Sequence, residues 1–532
     1  MPVRGPLVKK LKQITLPFLF FYSTILFSQS AGDSLFNTLK VHSVQINFQQ
    51  SNYWTLLTGN KAFDDANDSS TYIPAQINID GTILDSVGIQ FKGNSSYYNY
   101  PGNKKPFTLS FDQYDTLQKY DGLKSVNLNN LYQDPSFMRE KLFLDFMNEK
   151  GLNAPRANFA RVFINGTYWG LYYLSERVNK TFCKSRFGNK DGNLFKGDGT
   201  GSACANLEYH GVMSPYYNCY TLKTNTSSND WSGLVNLTYQ INNSPDGSFK
   251  DSLDAVLNTN SFIGSWAACN MFVDFDSYAF RFVHNYYIYQ NTSTNKFEWI
   301  TWDVSTAFGM DVPGTVPSVE SKSIFYIEPP ETYRPLANRM LNDSFYKNQY
   351  LNFICSYLQD FNPAVLNPNI DSIYNLIKAD VYSDSLKMFS NSNFDNNISS
   401  NITINSLTYP GLKSFIQNRS ASIQNELNSL GINCSLFSSA ENPGNSVNEI
   451  KAFPIPFSSR LTLEYFLEKS EKTSIVIFDY LGRELLKTES KQEAEGLKKV
   501  IINTENFRLG GIYFLKLQIG HEIITKKLIC QN

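Results

Sequence analysis

The chain has 532 residues, more than one ordinary hydrophobic core accommodates, so two or more domains are expected. Its 47 basic and 48 acidic residues balance, with neither a basic face nor an acidic tail, which argues against nucleic-acid binding and for a specific partner. High aromatic content (15%) beside modest charge (18%) is a composition common in exported proteins.

In chain order, Arg4, Lys9, Lys10 and Lys12 precede the apolar run ITLPFLFFYSTILFS, followed by small and polar residues. This is the pattern of a secretory signal peptide over residues 1–30, and it is too short for a comfortable membrane span. No later segment reaches eighteen unbroken apolar residues, so a soluble, extracytoplasmic mature protein is expected.

From Leu39 to Asp112 the pattern predicts strands: VHSVQINF, AQINIDGTILDSVGIQFKG and KKPFTLSFD, with SVNLNN as a further short strand. DPSFMREKLFLDFMNEKG predicts a helix capped by Asp134, with Pro135 at its first position and a stop at Gly151. ARVFINGTYWGLYYLSERV predicts a hairpin turning at Asn165-Gly166. GNLFKGDGTGS places Lys196 at the end of a short strand before a glycine-rich turn.

Beyond Trp231, DSLDAVLNTNSFIGSWAACNMFVDF predicts two helices, the second from about Asn260. HNYYIYQ and KFEWITWD predict a second hairpin across NTSTN, and Asn342 to Leu430 is mostly helical with an Asn/Ser-rich insert at Asn391 to Asn405. The linker SSAENPGNSVNE (438–449) separates residues 450–532, which read as the strands of a small β-sandwich. The domain expectation is therefore a large α+β domain over 35–437 and an all-β domain over 450–532.

The seven cysteines form no CxxC pair, and with four scattered histidines a structural zinc site is not expected. In an oxidising compartment Cys183, Cys204 and Cys219 supply one local disulfide, and Cys355 with Cys434 another.

The chemistry concentrates in DFDSYAFRFVHNYYIYQ and TWDVSTAFG. Asp276 lies in a loop leaving a helix, Asn285 heads a strand and Asp303 ends its partner, and in a hairpin the start of one strand adjoins the end of the other. Two carboxylates and a carboxamide so placed supply hard oxygen ligands for magnesium. Phosphoryl transfer needs an Asp to accept the hydroxyl proton, an Asn and a second Asp to hold metal, and a cation on the nucleotide phosphates. Lys196 is the candidate cation and Glu176 its candidate partner. Taken singly, Asp276 and Asp303 also read as turn formers, Asn285 as a hydrogen-bonded turn residue and His284 as a packed imidazole. No HRD or DFG triplet occurs.

The blocks FKGNSS, KKPFTLSFD, GLKSVNLNNLYQDPSFMREKL, FINGTYWGLYYLSERVNKTF, DFDSY with HNYYIY, and FEWITWDVSTAFG, in that order, resemble the CotH (spore coat protein H) kinase-like family over roughly Val41 to Asn433. The resemblance implies a diverged, two-lobed protein-kinase-like fold that binds ATP with Mg2+ or Mn2+ and phosphorylates Ser or Thr of extracytoplasmic proteins. It implies Asp276 as the catalytic-loop acid and Asp303 as the metal-binding acid. The interval from Asp276 to Asn285 is longer than the family pattern. FPIPFSSRLTLEY, IVIFDYLGRELL, LGGIYFLKL and ITKKLI resemble the type IX secretion sorting domain of Bacteroidetes, with Ile455 where Asn is more usual. That implies engagement of the type IX machinery and a secreted or outer-membrane surface protein.

Two functions follow as expectations: an exported kinase using Asp276, Asn285, Asp303 and Lys196, or a surface binding or scaffold protein that keeps the fold without turnover and presents its aromatics to a glycan or protein. A hydrolase acid pair is a third reading, without an aromatic sugar platform to single it out.

Overall fold

The computed structural model describes residues 30–197, 204–310, 316–434, 450–453, 457, 460–467, 469–479, 483–504, 511–520 and 522–530. Residues 1–29 of the expected signal peptide, the glycine-rich turn after Gly197 and the whole of the expected linker (438–449) lie outside the described residues.

Seven strands close into a barrel: β1 (Val41–Asn47), β2 (Ile73–Ile79), β3 (Thr82–Phe91), β4 (Phe107–Ser110), β5 (Ser125–Asn129), β6 (Ala157–Ile164) and β7 (Thr167–Glu176), in the order β1-β2-β3-β4-β5-β7-β6. All neighbours are antiparallel except β6 and β1, which pair in parallel to close the ring. Alternation fills it: Val44, Ile46, Ile77, Ile79, Val87, Ile89, Leu109, Leu128, Val162 and Leu174 point into one core. Asn165 (φ 48) and Gly166 (φ 80) make the tight β6–β7 turn that the Asn-Gly pair predicts.

Two expectations in this part need correction. The strand-rich reading of Leu39 to Asp112 overlooked the helix Tyr53–Asn67, which buries Leu57, Lys61 and Asp64 and ends at Asp68 in the left-handed region. The helix expected from Pro135 begins instead at Arg139 (Arg139–Glu149). The Asp134 carboxylate accepts from the Ser136 and Arg139 backbone amides (both 2.9 Å) and from the Ser136 hydroxyl, so it organises a turn with Phe137 at φ 62 before the helix.

A second, four-stranded sheet follows, β8 (Leu194–Gly197), β9 (Tyr220–Leu222), β10 (Tyr286–Asn291) and β11 (Lys296–Thr301), in the order β11-β10-β8-β9. One face packs on the helices Ser232–Asn243, Phe249–Val256 and Thr259–Phe272 through Phe195, Tyr286, Phe297 and Trp299. The other face meets the helix Lys180–Phe187 through Phe182, Tyr287 and Ile300. The helices Ser344–Leu358, Pro363–Ser383 and Leu412–Ser429 complete the large core, and the Asn/Ser-rich insert forms the short helix Asn391–Asn397 with the hairpin Ile402–Ile404 and Leu407–Tyr409. Disulfides join Cys204 to Cys219 and Cys355 to Cys434, while Cys183, Cys269 and Cys530 are buried thiols.

The barrel is fastened to the helices in two places. Phe143 and Phe146 of Arg139–Glu149 pack on Phe272, with ring centroids 4.4 and 5.1 Å apart. Lys104, ahead of β4, donates to Asp384 Oδ2 after Pro363–Ser383 at 2.6 Å, and both side chains are 0% exposed. Gly170 (φ +127) makes room for that carboxylate, because a Cβ there would lie 2.5 Å from Asp384 Oδ2.

The C-terminal domain has two sheets, Lys451–Phe453, Arg460–Leu467 and Gly496–Asn503 in one, and Glu484–Lys487, Glu471–Asp479, Gly511–Ile519 and Glu522–Cys530 in the other, with Lys491–Glu493 on the latter's Glu471–Asp479 strand. Leu461, Leu463, Ile475, Ile477, Leu515, Leu517 and Leu528 share one core between them. No described helix is long and apolar enough to cross a membrane.

Candidate active site

A cleft of about 1240 Å³ is lined by the ends of β3, β5 and β7, the start of Arg139–Glu149, β8, and the open end of the β10–β11 hairpin. Asp276, Asn285, Asp303 and Lys196 all reach its wall, together with Lys92, Glu140 and His284.

The helix Thr259–Phe272 ends at Val273 in the left-handed region (φ 49), a conformation that β-branched residues rarely adopt and that the buried surroundings hold in place. This sharp exit delivers Asp274, whose amide donates to Cys269 O at 2.9 Å, and then Asp276. Residues 277–284 are not slack, which accounts for the long interval. Tyr278, Ala279, Phe280 and Val283 are buried, the Tyr278 hydroxyl donates to Asn206 O (3.1 Å), and Arg334 Nε donates to Phe280 O (3.0 Å). The chain therefore returns, and Asn285 Nδ2 donates to Asp276 O at 3.1 Å.

Tyr286 pairs with Thr301, so Asn285 and Asp303 flank the open end of the hairpin, and Trp302 N donates to Asn285 O at 3.3 Å. Both leave their strands with positive φ (58 and 52), which Asn and Asp tolerate better than other side-chain-bearing residues. The carboxylate after the aromatic strand thus has a backbone reason as well as a chemical one. Thr306 ties the two segments together: the Asp276 amide donates to its hydroxyl (3.0 Å), and that hydroxyl donates to Asp274 Oδ1 (2.5 Å).

The electrostatics follow from crowding acids in a poorly solvated place. Burial, and then the charges of Asp276 and Asp303, push the Asp274 carboxyl up to about 7 against the Thr306 hydrogen bond. Its Oδ2 is buried with no hydrogen-bond partner among the described residues. Burial also raises Asp276, opposed by His284, whose Nε2 hydrogen-bonds Asp276 Oδ1. For His284, burial disfavours the charge, but Asp276 and then Asp303 outweigh it and raise the imidazole.

Two residues at the centre of the cleft were not among the candidates. Lys92, directly after β3 in the FKGNSS block, donates to Asn129 Oδ1 at 2.6 Å. Burial lowers its pKa, against the pull of Asp303 and Glu140. Glu140, in the first turn of Arg139–Glu149, is raised by burial and by Asp303 against the pull of Lys92. A lysine ending a strand before a glycine was the available signal for Lys92. Nothing local marks Glu140, which the fold brings into the same cleft as Lys92.

Lys196, opposite Tyr287 on β10, holds Nζ 4.7 Å from the centre of the Trp302 ring. Glu176, expected as its partner, is instead saturated by arginines: Arg156 Nη2 donates to Oε1 (2.7 Å), and Arg186 Nη2 and the Arg156 amide donate to Oε2 (both 2.8 Å). Glu176 is 4% exposed and braces the end of β7.

The CotH kinase protein family matches residues 89–423, and the secretion system C-terminal sorting domain matches residues 451–531. The chain belongs to the CotH kinase protein family and carries a secretion sorting domain. It is similar to inner spore coat protein H of Bacillus subtilis (strain 168), 30% identical over 328 residues, 61% of this chain and 85% of that protein. It is also similar to invasin CotH2 of Rhizopus delemar, 22% identical over 310 residues, 56% of this chain and 50% of that protein, so it spans about half the length of that relative. Mixed helix and strand content with an all-β C-terminal region agrees with this membership, and the sorting domain points to secretion or the outer-membrane surface.

Proposed function

We propose that this protein is an exported or cell-surface atypical kinase that transfers the γ-phosphate of ATP to Ser or Thr of extracytoplasmic proteins. The observation that carries the reading is the convergence, in one cleft, of Asp276, Asn285 and Asp303 with Lys92 and Glu140. Kinases require these parts: an acid for the hydroxyl proton, an Asn and an Asp for metal, and a strand lysine balanced by a helix glutamate. In this reading the barrel with Arg139–Glu149 is one lobe, and the second sheet with the helices is the other.

ATP with Mg2+ or Mn2+ fits the residues present. Among the described residues no group of three or more His, Cys, Asp or Glu side chains could hold a metal alone. Magnesium usually takes one or two carboxylates plus phosphate oxygens and water, which Asp303 and Asn285 suit. Two residues before Asp276, Asp274 Oδ2 is a buried oxygen with no hydrogen-bond partner among the described residues, and the charges of Asp276 and Asp303 act on its carboxyl. Bound there, the metal would neutralise charge on the transferring phosphoryl group.

The chain's own residues supply the rest. Lys92 takes the phosphate-binding role assigned in sequence to Lys196, because Asn129 holds it in the cleft and the charges of Asp303 and Glu140 act on it there; Lys196 lines the same cleft. Asp276 orients the acceptor hydroxyl and accepts its proton, while His284, Asn285 and the Thr306 hydroxyl fix that loop. The test incubates purified protein with labelled ATP and magnesium or manganese, beside Asp276→Ala and Asp303→Ala. Transfer by wild type and its loss by at least 100-fold in both variants is expected. No transfer to itself or to surface proteins, together with no nucleotide binding, overturns the reading and leaves the scaffold alternative.

A further inference from the structure

Away from the acid cluster the cleft changes character. Its outer wall carries Lys119, Lys124, Lys180, Lys184, Lys190 and Lys223, from the β4–β5 connection, the helix Lys180–Phe187, the turn after it and the end of β9. The acids lining that part are already engaged: Asp112 takes up the charge of Lys124 (2.5 Å), which leaves Lys119, Lys180, Lys184 and Lys190 as the surplus, and Glu176 is held by two arginines. Between the lysines the floor is polar and uncharged, with Ser110, Ser125, Asn127, Asn179 and Thr181. In a chain whose net charge is −1, this is a marked local surplus of positive charge. The cleft's volume of about 1240 Å³ also exceeds the roughly 300–1,000 Å³ that a small-molecule site occupies.

We infer that this outer wall is the docking surface for the acceptor, and that it selects a protein segment rich in Asp and Glu around the receiving hydroxyl. The inference rests on the kinase reading and adds its substrate class. Complementary charge at a polar rim steers encounter and sets specificity, while the floor's amides and hydroxyls meet an extended backbone. The inner pair Lys92 and Lys196 lies nearer the acids and is left to the nucleotide.

The experiment uses the full chain and two synthetic peptides of equal length, one with Ser flanked by Asp and Glu, the other with Asn and Gln at those positions. Labelled-peptide anisotropy measures binding, and phosphate incorporation with ATP and magnesium measures turnover. The triple variant Lys119→Glu, Lys180→Glu, Lys190→Glu alters exposed residues only. Expected is at least tenfold tighter binding of the acidic peptide, lost in the variant and weakened by salt, with KM for ATP changed less than twofold. Equal binding of the two peptides overturns the docking inference even where phosphate transfer is seen. A matching rise in KM for ATP also overturns it, by assigning these lysines to nucleotide phosphates. Selective acidic-peptide binding without any transfer upholds the surface, and where the protein also binds no nucleotide and does not phosphorylate itself or surface proteins, the kinase reading falls instead.

Discussion

Asp274 makes the most exposed claim about the site's electrostatics. Its carboxyl titrates near 7 in the fold and near the ordinary 3.8 in the unfolded chain, because burial and the nearby Asp276 and Asp303 disfavour its charge. A folded-state pKa raised in this way contributes stability that is complete below about pH 3.8 and lost as pH rises to about 7. At about 1.4 kcal/mol for each pH unit in that window, the loss amounts to roughly 4 kcal/mol at most. Asp274→Asn keeps the shape and the oxygen that Thr306 meets but ionises in neither state. Urea unfolding at pH 4.5 and pH 8, with chelator present, measures the difference. All six tryptophans precede residue 450, so their fluorescence reports on the large domain. Between the two pH values wild type should lose about 2 to 4 kcal/mol more than the variant, whatever fixed cost the amide adds. Equal losses would mean that Asp274 is ionised in the fold, and the account of a crowded, poorly solvated acid cluster would fail.

Two further substitutions separate binding from bracing. Lys92→Met should raise KM for ATP at least tenfold, whereas Glu176→Gln should leave KM for ATP unchanged and lower stability by roughly 3 kcal/mol by leaving Arg156 and Arg186 undercompensated; nucleotide titration of both preparations and urea unfolding of Glu176→Gln check this. Lys104→Met strands the fully buried Asp384 carboxylate at the joint between barrel and helices. A loss of about 3 to 5 kcal/mol is expected, largely restored in Lys104→Met with Asp384→Asn, and unfolding curves for the three proteins decide it.

Local chemistry was legible wherever one stretch of chain decided it. Alternation marked the barrel strands, Asn165-Gly166 marked the β6–β7 turn, and the order of DFDSY, HNYYIY and WITWD was enough to bring Asp276, Asn285 and Asp303 together, because hairpin pairing is a local constraint. The helix Tyr53–Asn67 was missed because its burial is slight, with Leu57, Lys61 and Asp64 its only buried residues. The delayed start at Arg139 was missed because a side chain, not the backbone pattern, sets it.

What sequence alone determined was the identity of the acids, the hairpin that carries them and the split into a large α+β domain and an all-β sorting domain. Tertiary structure decided the partners. Glu176 looked like a mate for Lys196 by position, yet Arg156 and Arg186, held about the end of β7, claim it. Glu140 carries no local mark of a site, yet the fold sets it in the same cleft as Lys92 and Asp303. A charge's partner is whatever the fold brings within a few ångströms in a poorly solvated place, and separation along the chain carries almost no information about that.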